Sequence, residues 1–464
     1  MRPACCIGQP ATDLKRFGEL LRESPLTALR QLLPDEEILH ACRAAGHAYR
    51  NRLYGPVVTV FHFLLQAIQR EESFAATWPA LWSPVCAGLG WCGVAFSSSA
   101  WSQARSRFPK EALESLNQRA CAVHEPFCSR WRGLRLLALD GTTVSMPRAG
   151  GLCAHFGLHH ARTTAVRYPL ATFCSLLSVG NSLILDYRFG PFDPAEKETA
   201  TPLLKSLGPL DLLLIDRGFS GAPTLARVRR QGAHFLARKN ARLIVERLPV
   251  IQPLGRDDFI TEIPVGRDAR SKDPTLPENV RVRVFKARWK TPAGERLEDW
   301  FVTSLEDPRR FPPRTLARLY HQRWQVETSY LEFKVLFHAD VLRGKTVENV
   351  QKELAAHVLA YQLVRRLMVQ AAAKHRKKPT EISFLNAARW VLCFSALMSV
   401  APLWKLPALH EGLLDAIASS EIEVRPGRLE PRALTREWKH YPHLRLSRSE
   451  WRRRRLAGAQ PSLS

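Results

Sequence analysis

No Cys-x-x-Cys pair occurs in this sequence, and no apolar run is long enough to cross a bilayer. The ten cysteines, at 5, 6, 42, 86, 92, 121, 128, 153, 174 and 393, are scattered, and several sit inside apolar runs. They read as buried free thiols rather than a disulfide framework, which favours a reducing compartment. The most apolar windows, 57–68 and 391–403, are too short or too broken by polar residues and proline to span a membrane. The first residues, Met-Arg-Pro-Ala-Cys-Cys-Ile-Gly, hold no apolar core of signal-peptide length, so the expectation is a soluble, cytoplasmic protein. Internal repeats are also missing. Acidic residues are the scarcest class relative to their counterpart: 43 Asp and Glu stand against 68 Lys and Arg.

That deficit leaves a formal charge of +25. Such an excess calls for a polyanionic partner. Nucleic acid suits it better than a membrane surface, because the basic residues spread along the whole chain. An Arg-enriching coding bias would account for part of it. At 464 residues, 45% of them hydrophobic, the chain is globular and long enough for roughly three domains.

Residues 1–128 read as helical, with apolar periodicity through 20–33, 38–48 and 57–68. The segment Ser97 to Phe108 opens on N-capping serines and carries Arg105 and Arg107; it suits a helix laid in a DNA groove or a solvated basic helix, and the sequence leaves the two open. From 129 the pattern turns to strands. Leu134–Leu139 is a short apolar run that would deliver Asp140 at its end, and Leu212–Ile215 would deliver Asp216 in the same way. Between them, 170–179 and 183–189 flank Gly180-Asn181-Ser182 as a hairpin, followed by a helix over about 197–207. A helix over 223–230 and a strand over 234–237 complete a mixed α/β sheet with helices on its faces. A β-rich insertion follows, with Val280-Arg281-Val282-Arg283-Val284 predicting one basic and one apolar face, and Trp300–Thr303 a further strand. Helices then run over 346–373 and 380–418, before an Arg-rich tail ending in Trp451-Arg452-Arg453-Arg454-Arg455-Leu456.

Within the later helices, Tyr320, Arg323, Glu327 and Lys334 fall at spacings of three, four and seven residues. At about 100° per residue these side chains share one helical face. Alone, the stripe is explained well by i,i+4 ion pairing between Arg323 and Glu327. With Asp140 and Asp216 it suits something else. Two strand-end aspartates and a helix glutamate are oxygen donors for two hard cations, Mg²⁺ or Mn²⁺, of the kind that drive phosphoryl transfer. Arg323 and Lys334 would then hold phosphates. Glu332 lies off the stripe.

These residues resemble the bacterial DDE transposases of the insertion-sequence-four family. The resemblance rests on Asp140-Gly141-Thr142-Thr143, on Leu214-Ile215-Asp216-Arg217-Gly218-Phe219, and on the signature Y-x2-R-x3-E-x6-K met by Tyr320, Arg323, Glu327 and Lys334. It implies a ribonuclease-H-like catalytic core interrupted by the β-rich insertion and flanked by helical domains. The expected organisation is a DNA-binding domain over 1–128, core over 129–239, insertion over 240–316, core over 317–375 and a C-terminal helical region with basic tail over 376–464. It also implies cut-and-paste transposition, with Asp140, Asp216 and Glu327 catalytic and holding two metal ions. Tyr320, Arg323, Lys334 and Arg217 would contact DNA, and Trp289 or Trp300 would stack on a flipped base. The partners implied are terminal inverted repeats, target DNA and a second copy of the chain in a synaptic complex, with the protein nucleoid-associated when bound. Two rival functions stand beside this one: a DNA-binding protein of transposase descent that no longer cuts, and a metal-dependent nuclease without strand transfer. Cys153, His155, His159 and His160 raise zinc, but their spacing fits no usual structural site.

Overall fold

The run Leu134–Leu139 is a strand because its alternate side chains meet two different cores. Leu134, Leu136 and Ala138 enter one, Leu137 and Leu139 the other, so both faces are covered and the run can be apolar throughout. The computed structural model describes residues 27–49, 54–69, 97–123, 127–160, 165–192, 196–290, 296–336 and 338–422, with Thr77 and Arg453. Half of the expected first helix, residues 20–26, and nearly all of the Arg-rich tail lie outside the described residues.

Helices α1 (Asp35–Ala44), α2 (Pro56–Gln69), α3 (Ser98–Arg107) and α4 (Lys110–Val123) precede the sheet. The expected start of α3 is met: the Ser97 side chain accepts from the Ala100 N–H. Strands β1 (Arg130–Trp131), β2 (Leu134–Ser145), β3 (Leu158–His160), β4 (Ala165–Ser178) and β5 (Ile184–Pro191) follow. The β4–β5 turn falls on the expected Gly180 and Ser182, both at positive φ. Helix α5 (Glu196–Ala200) is shorter than expected and continues as a 3₁₀ turn, Thr201–Ser206, with Pro202 at its start. Next come β6 (Asp211–Ile215), α6 (Ala222–Arg230) and β7 (His234–Arg238). The chain then forms β8 (Gln252–Gly255), β9 (Asp258–Pro264), β10 (Asn279–Lys290) and β11 (Arg296–Thr303).

All these strands join one 11-stranded sheet, ordered β3-β4-β2-β6-β7-β11-β10-β9-β8, with β1 on β2 and β5 on β4. The β2–β6 and β6–β7 pairs are parallel and the rest antiparallel. The strands of the expected insertion therefore extend the main sheet, since Phe301–Thr303 of β11 pair with Leu236–Arg238 of β7. Their expected basic face is also corrected. Arg281 is exposed, but Arg283 is fully buried, held bidentately by Asp258 at 2.7 and 2.6 Å and donating to the carbonyls of Leu305 and Phe311. A buried guanidinium persists only with such full pairing.

After the sheet strands come α7 (Pro313–Tyr320), α8 (Gln325–Leu331), α9 (Val347–His375), α10 (Phe384–Val400) and α11 (Leu406–Ser419). The block expected over 380–418 is thus two helices, parted at Pro402. Helix α9 is buried along most of its length and supplies polar side chains to its neighbours. Gln362 accepts from the Ile184 N–H and donates to the Ile184 carbonyl, as a neighbouring strand would. Glu353 accepts from the N–H groups of Arg343 and Gly344 and pairs with Arg105 at 3.2 Å. No helix among the described residues is long and apolar enough to cross a membrane.

Candidate active site

Asp140 does not end its strand, as expected, but sits inside it: β2 runs on to Ser145, pairing with β4 throughout. On its other side β2 is paired with β6 only as far as Leu139, opposite Ile215. Beyond that point the neighbour is the segment around Val341, bridged to Ser145. The stretch from Asp140 to Val144 is free of strands on that side, and Asp216 follows immediately after β6. Strand parity then sets direction. Asp140 is in phase with Leu136 and Ala138, and Asp216 with Leu212 and Leu214, all on the face where Tyr320, Val326 and Tyr330 pack.

The stripe on that face is not a regular helix. Helix α7 passes through a 3₁₀ turn, His321–Trp324, into α8, and then into a π turn, Glu332–Leu336. The 100° spacing therefore fails as a literal description, yet three of its four members converge. The Arg323 guanidinium, 7% exposed as a residue, lies 3.8 Å from Asp140 Oδ2, 3.5 Å from Asp216 Oδ1 and 3.0 Å from Glu327 Oε1. Lys334, across the π turn, has no ion pair among the described residues. Glu332 points elsewhere, into a buried ion pair with Arg365.

Two tyrosines pin the strands beneath these carboxylates. Tyr320 donates from its hydroxyl to the carbonyl of Ile215, 3.2 Å away and one residue before Asp216. Tyr330 donates to the carbonyl of Asp140 itself and meets Ser175 Oγ at 2.8 Å. Burial pushes the Asp140 carboxyl up to about 6; the Gly141 N–H and Arg323 oppose the rise, while Glu196 and Asp216 add to it. Glu196 was not singled out in the sequence. Its carboxylate lies against Gly141, so a methyl built on Gly141 would overlap it. Burial, then Asp216, likewise raise the Glu196 carboxyl.

The other expected residues divide. Arg217 is half-exposed and pairs with Asp299 at 3.1 Å, an aspartate it shares with Arg238. Trp289 is half-buried on the carboxylate face, edge-on to His321 at 5.3 Å between ring centres. Trp300 packs toward the opposite core, under Lys286. Arg107 is exposed and lines a cavity of about 230 Å³ with His47, Tyr49 and Phe108, away from the carboxylates. Arg105 is turned inward onto Glu353 and is 6% exposed, so of the two arginines expected to face DNA or solvent here only Arg107 does. Trp324, beside Arg323, is the most exposed tryptophan near the site at 59%. Cys153 and His155 fall in a short helix, Gly150–Phe156, and no zinc-like group forms among the described residues.

The donor set is carboxylate oxygen with no thiolate, which suits a hard divalent cation. Among the described residues no three acidic, His or Cys side chains stand ready around one ion as they are. The carboxylates are instead gathered around the guanidinium, which is the cation they share here and a stand-in for a metal charge. With that substitution the residues fit a divalent cation.

Residues 131–363, half of the chain, match the family described as Transposase DDE domain. Over 448 residues, 94% of this chain and 97% of the relative, the sequence is 27% identical to the transposase InsG for insertion sequence element IS4 of Escherichia coli strain K12. Among solved structures, the cryo-EM synaptic complex of piggyBac transposase with hairpin DNA aligns over 87% of each chain, at 11% identity and a TM-score of 0.42. The chain belongs to the transposase DDE-domain family. It is a DDE transposase of the IS4 type, a metal-dependent enzyme that cleaves and joins DNA.

Proposed function

We propose that Asp140, Asp216 and Glu327 are the catalytic, cation-binding carboxylates of a ribonuclease-H-like core, and that the enzyme moves its element by cut-and-paste transposition. The observation that carries this reading is the convergence of all three carboxylates on Arg323. Two Mg²⁺ or Mn²⁺ ions held by these carboxylates would supply activation of the attacking oxygen and neutralisation of the leaving one.

The chain's own residues do the rest. Tyr320 and Tyr330 hold the Ile215 and Asp140 carbonyls, so the two aspartates keep a fixed separation while DNA enters. Pre-set geometry of this kind is what converts binding into rate. Arg323, now held among the three carboxylates, would contact a DNA phosphate beside them, and Lys334 and Arg217 would add further phosphate contacts. Trp289, on the carboxylate face, is the better placed of the two nominated tryptophans to stack on an unpaired base. The helical region over 1–128 supplies end binding, the basic tail closing the 376–464 region binds DNA non-specifically, and two copies joined through the C-terminal helices hold two ends together. The core spans 129–239 and 317–375 on either side of the insertion over 240–316.

The test is cleavage of DNA carrying the element's own terminal inverted repeats. Purified protein with Mg²⁺ nicks and excises such DNA. Asp140→Ala, Asp216→Ala and Glu327→Ala each abolish cutting and leave end binding largely intact; cutting at the wild-type rate by Glu327→Ala would overturn the assignment.

A further inference from the structure

We propose that Glu196 is a fourth cation-binding carboxylate of this site, acting with Asp140 and Asp216. The inference rests on the reading of the aspartates given above and goes beyond it. Glu196 opens α5, the helix after the β4–β5 hairpin, and so reaches the site from the other side of the sheet from Glu327. Its route is specific. Gly141 is out of phase with Asp140 and faces the core lined by Ala200 and Leu203 of the α5 region. A side chain at 141 would occupy the space that the Glu196 carboxylate fills. Only a residue without Cβ lets that carboxylate lie on β2 directly beside Asp140. On the same stretch β6 has already ended, so no strand separates Glu196 from the aspartates.

The electrostatics agree with the geometry. Glu196 raises the Asp140 carboxyl, and Asp216 raises that of Glu196 while Lys197 lowers it. Arg323 serves Asp140, Asp216 and Glu327, whereas Glu196 has no ion pair among the described residues. An acidic side chain brought to two others over a bare glycine, opposed only in part by the neighbouring Lys197, raises the free energy of the metal-free site. A divalent cation removes that cost, and a fourth oxygen donor completes more of the coordination shell such an ion demands. The glycine of the Asp140-Gly141 motif thereby acquires a reason: it is the seat of Glu196.

The test uses the full chain without DNA and reads Mn²⁺ binding by calorimetric titration. Glu196→Gln keeps the shape and removes the charge; the residue is exposed, so the fold is retained, and its melting temperature verifies this. Mn²⁺ affinity is expected to fall about tenfold to a hundredfold, with end-DNA binding in chelator unchanged. Asp140→Asn is the control. If it weakens Mn²⁺ binding while Glu196→Gln matches wild type, Glu196 is overturned and the three-carboxylate site stands. If neither variant changes Mn²⁺ binding, or the wild type binds none, the site reading beneath the proposal fails as well.

Discussion

The hydroxyl of Tyr330 donates to the main-chain carbonyl of Asp140 and at the same time meets Ser175 Oγ, the residue paired with Asp140 across β2 and β4. One buried phenol thus ties the glutamate helix to the strand of the first aspartate. Tyr330→Phe removes that tie and leaves a buried carbonyl and hydroxyl to pair elsewhere. A loss of about 1–2 kcal/mol in denaturant unfolding is expected. The positioning role shows in kinetics: the cleavage rate constant falls while end-DNA affinity holds. A variant that loses only stability, with an unchanged rate constant per folded molecule, would reduce Tyr330 to packing.

Much of this was legible beforehand. The two apolar runs announced β2 and β6, because buried parallel strands need little context to declare themselves, and the aspartates that follow them are those that converge on Arg323. Hidden from the sequence were the pairings that act at long range. Thr142, Thr143 and Val144 are good strand formers, so β2 continues past Asp140, and only the end of β6 at Ile215 opens the carboxylate. Periodicity gave the Tyr320–Glu327 face but not the 3₁₀ and π turns within it, since a repeat in sequence does not encode local winding. Glu196 falls one residue before the helix expected over about 197–207, and the sequence does not show that Gly141 leaves room for its carboxylate. Strand composition revealed β10 and β11, but register decided that they extend the main sheet.

Asp140 makes the metal-free protein sensitive to pH. Its carboxyl is raised from 3.8 to about 6 by burial first, so the native state holds a proton that the unfolded chain has released. Stability from this group therefore falls as pH rises from about 4 to about 6 and stays low above. Asp140→Asn escapes the loss. In chelator at pH 8 it is expected to be more stable than wild type by up to about 3 kcal/mol, from some two pH units at about 1.4 kcal/mol each. The gap shrinks toward pH 4 and narrows at pH 8 when Mg²⁺ is added. Parallel stability curves for the two proteins across that range would contradict the burial argument.

Arg105 and Lys334 separate structural from DNA-facing cations. Arg105 is buried on Glu353, which also caps the Arg343–Gly344 backbone. Arg105→Ala leaves that carboxylate without its cation and should cost about 3 kcal/mol or more. The salt dependence of end binding by the folded fraction stays as in wild type. Lys334→Ala does the opposite: stability moves within about 0.5 kcal/mol, and the slope of log affinity against log salt shrinks by about one. Equal slopes for both variants would remove Lys334 from the phosphate contacts.

Arg323 lies among the three carboxylates proposed to bind the cations, so it would compete with a cation there while it contributes a phosphate contact. Its guanidinium spans Asp140, Asp216 and Glu327, and its Nε is buried with no hydrogen-bond partner, so the side chain satisfies the carboxylates better than itself. Arg323→Ala exposes those charges to one another. Metal-free stability is expected to drop above pH 6, where Asp140 is ionised, and to change less below it. Mn²⁺ affinity without DNA is expected to rise, on the order of fivefold, because a competing positive charge worth about 1 kcal/mol has gone. End-DNA affinity falls by about tenfold, the loss of a charge-assisted phosphate contact. Calorimetric Mn²⁺ titration and end-binding gels on the same preparation give both signs at once. Weaker Mn²⁺ binding in Arg323→Ala would mean that the guanidinium assembles the carboxylates for the ion rather than standing in for it.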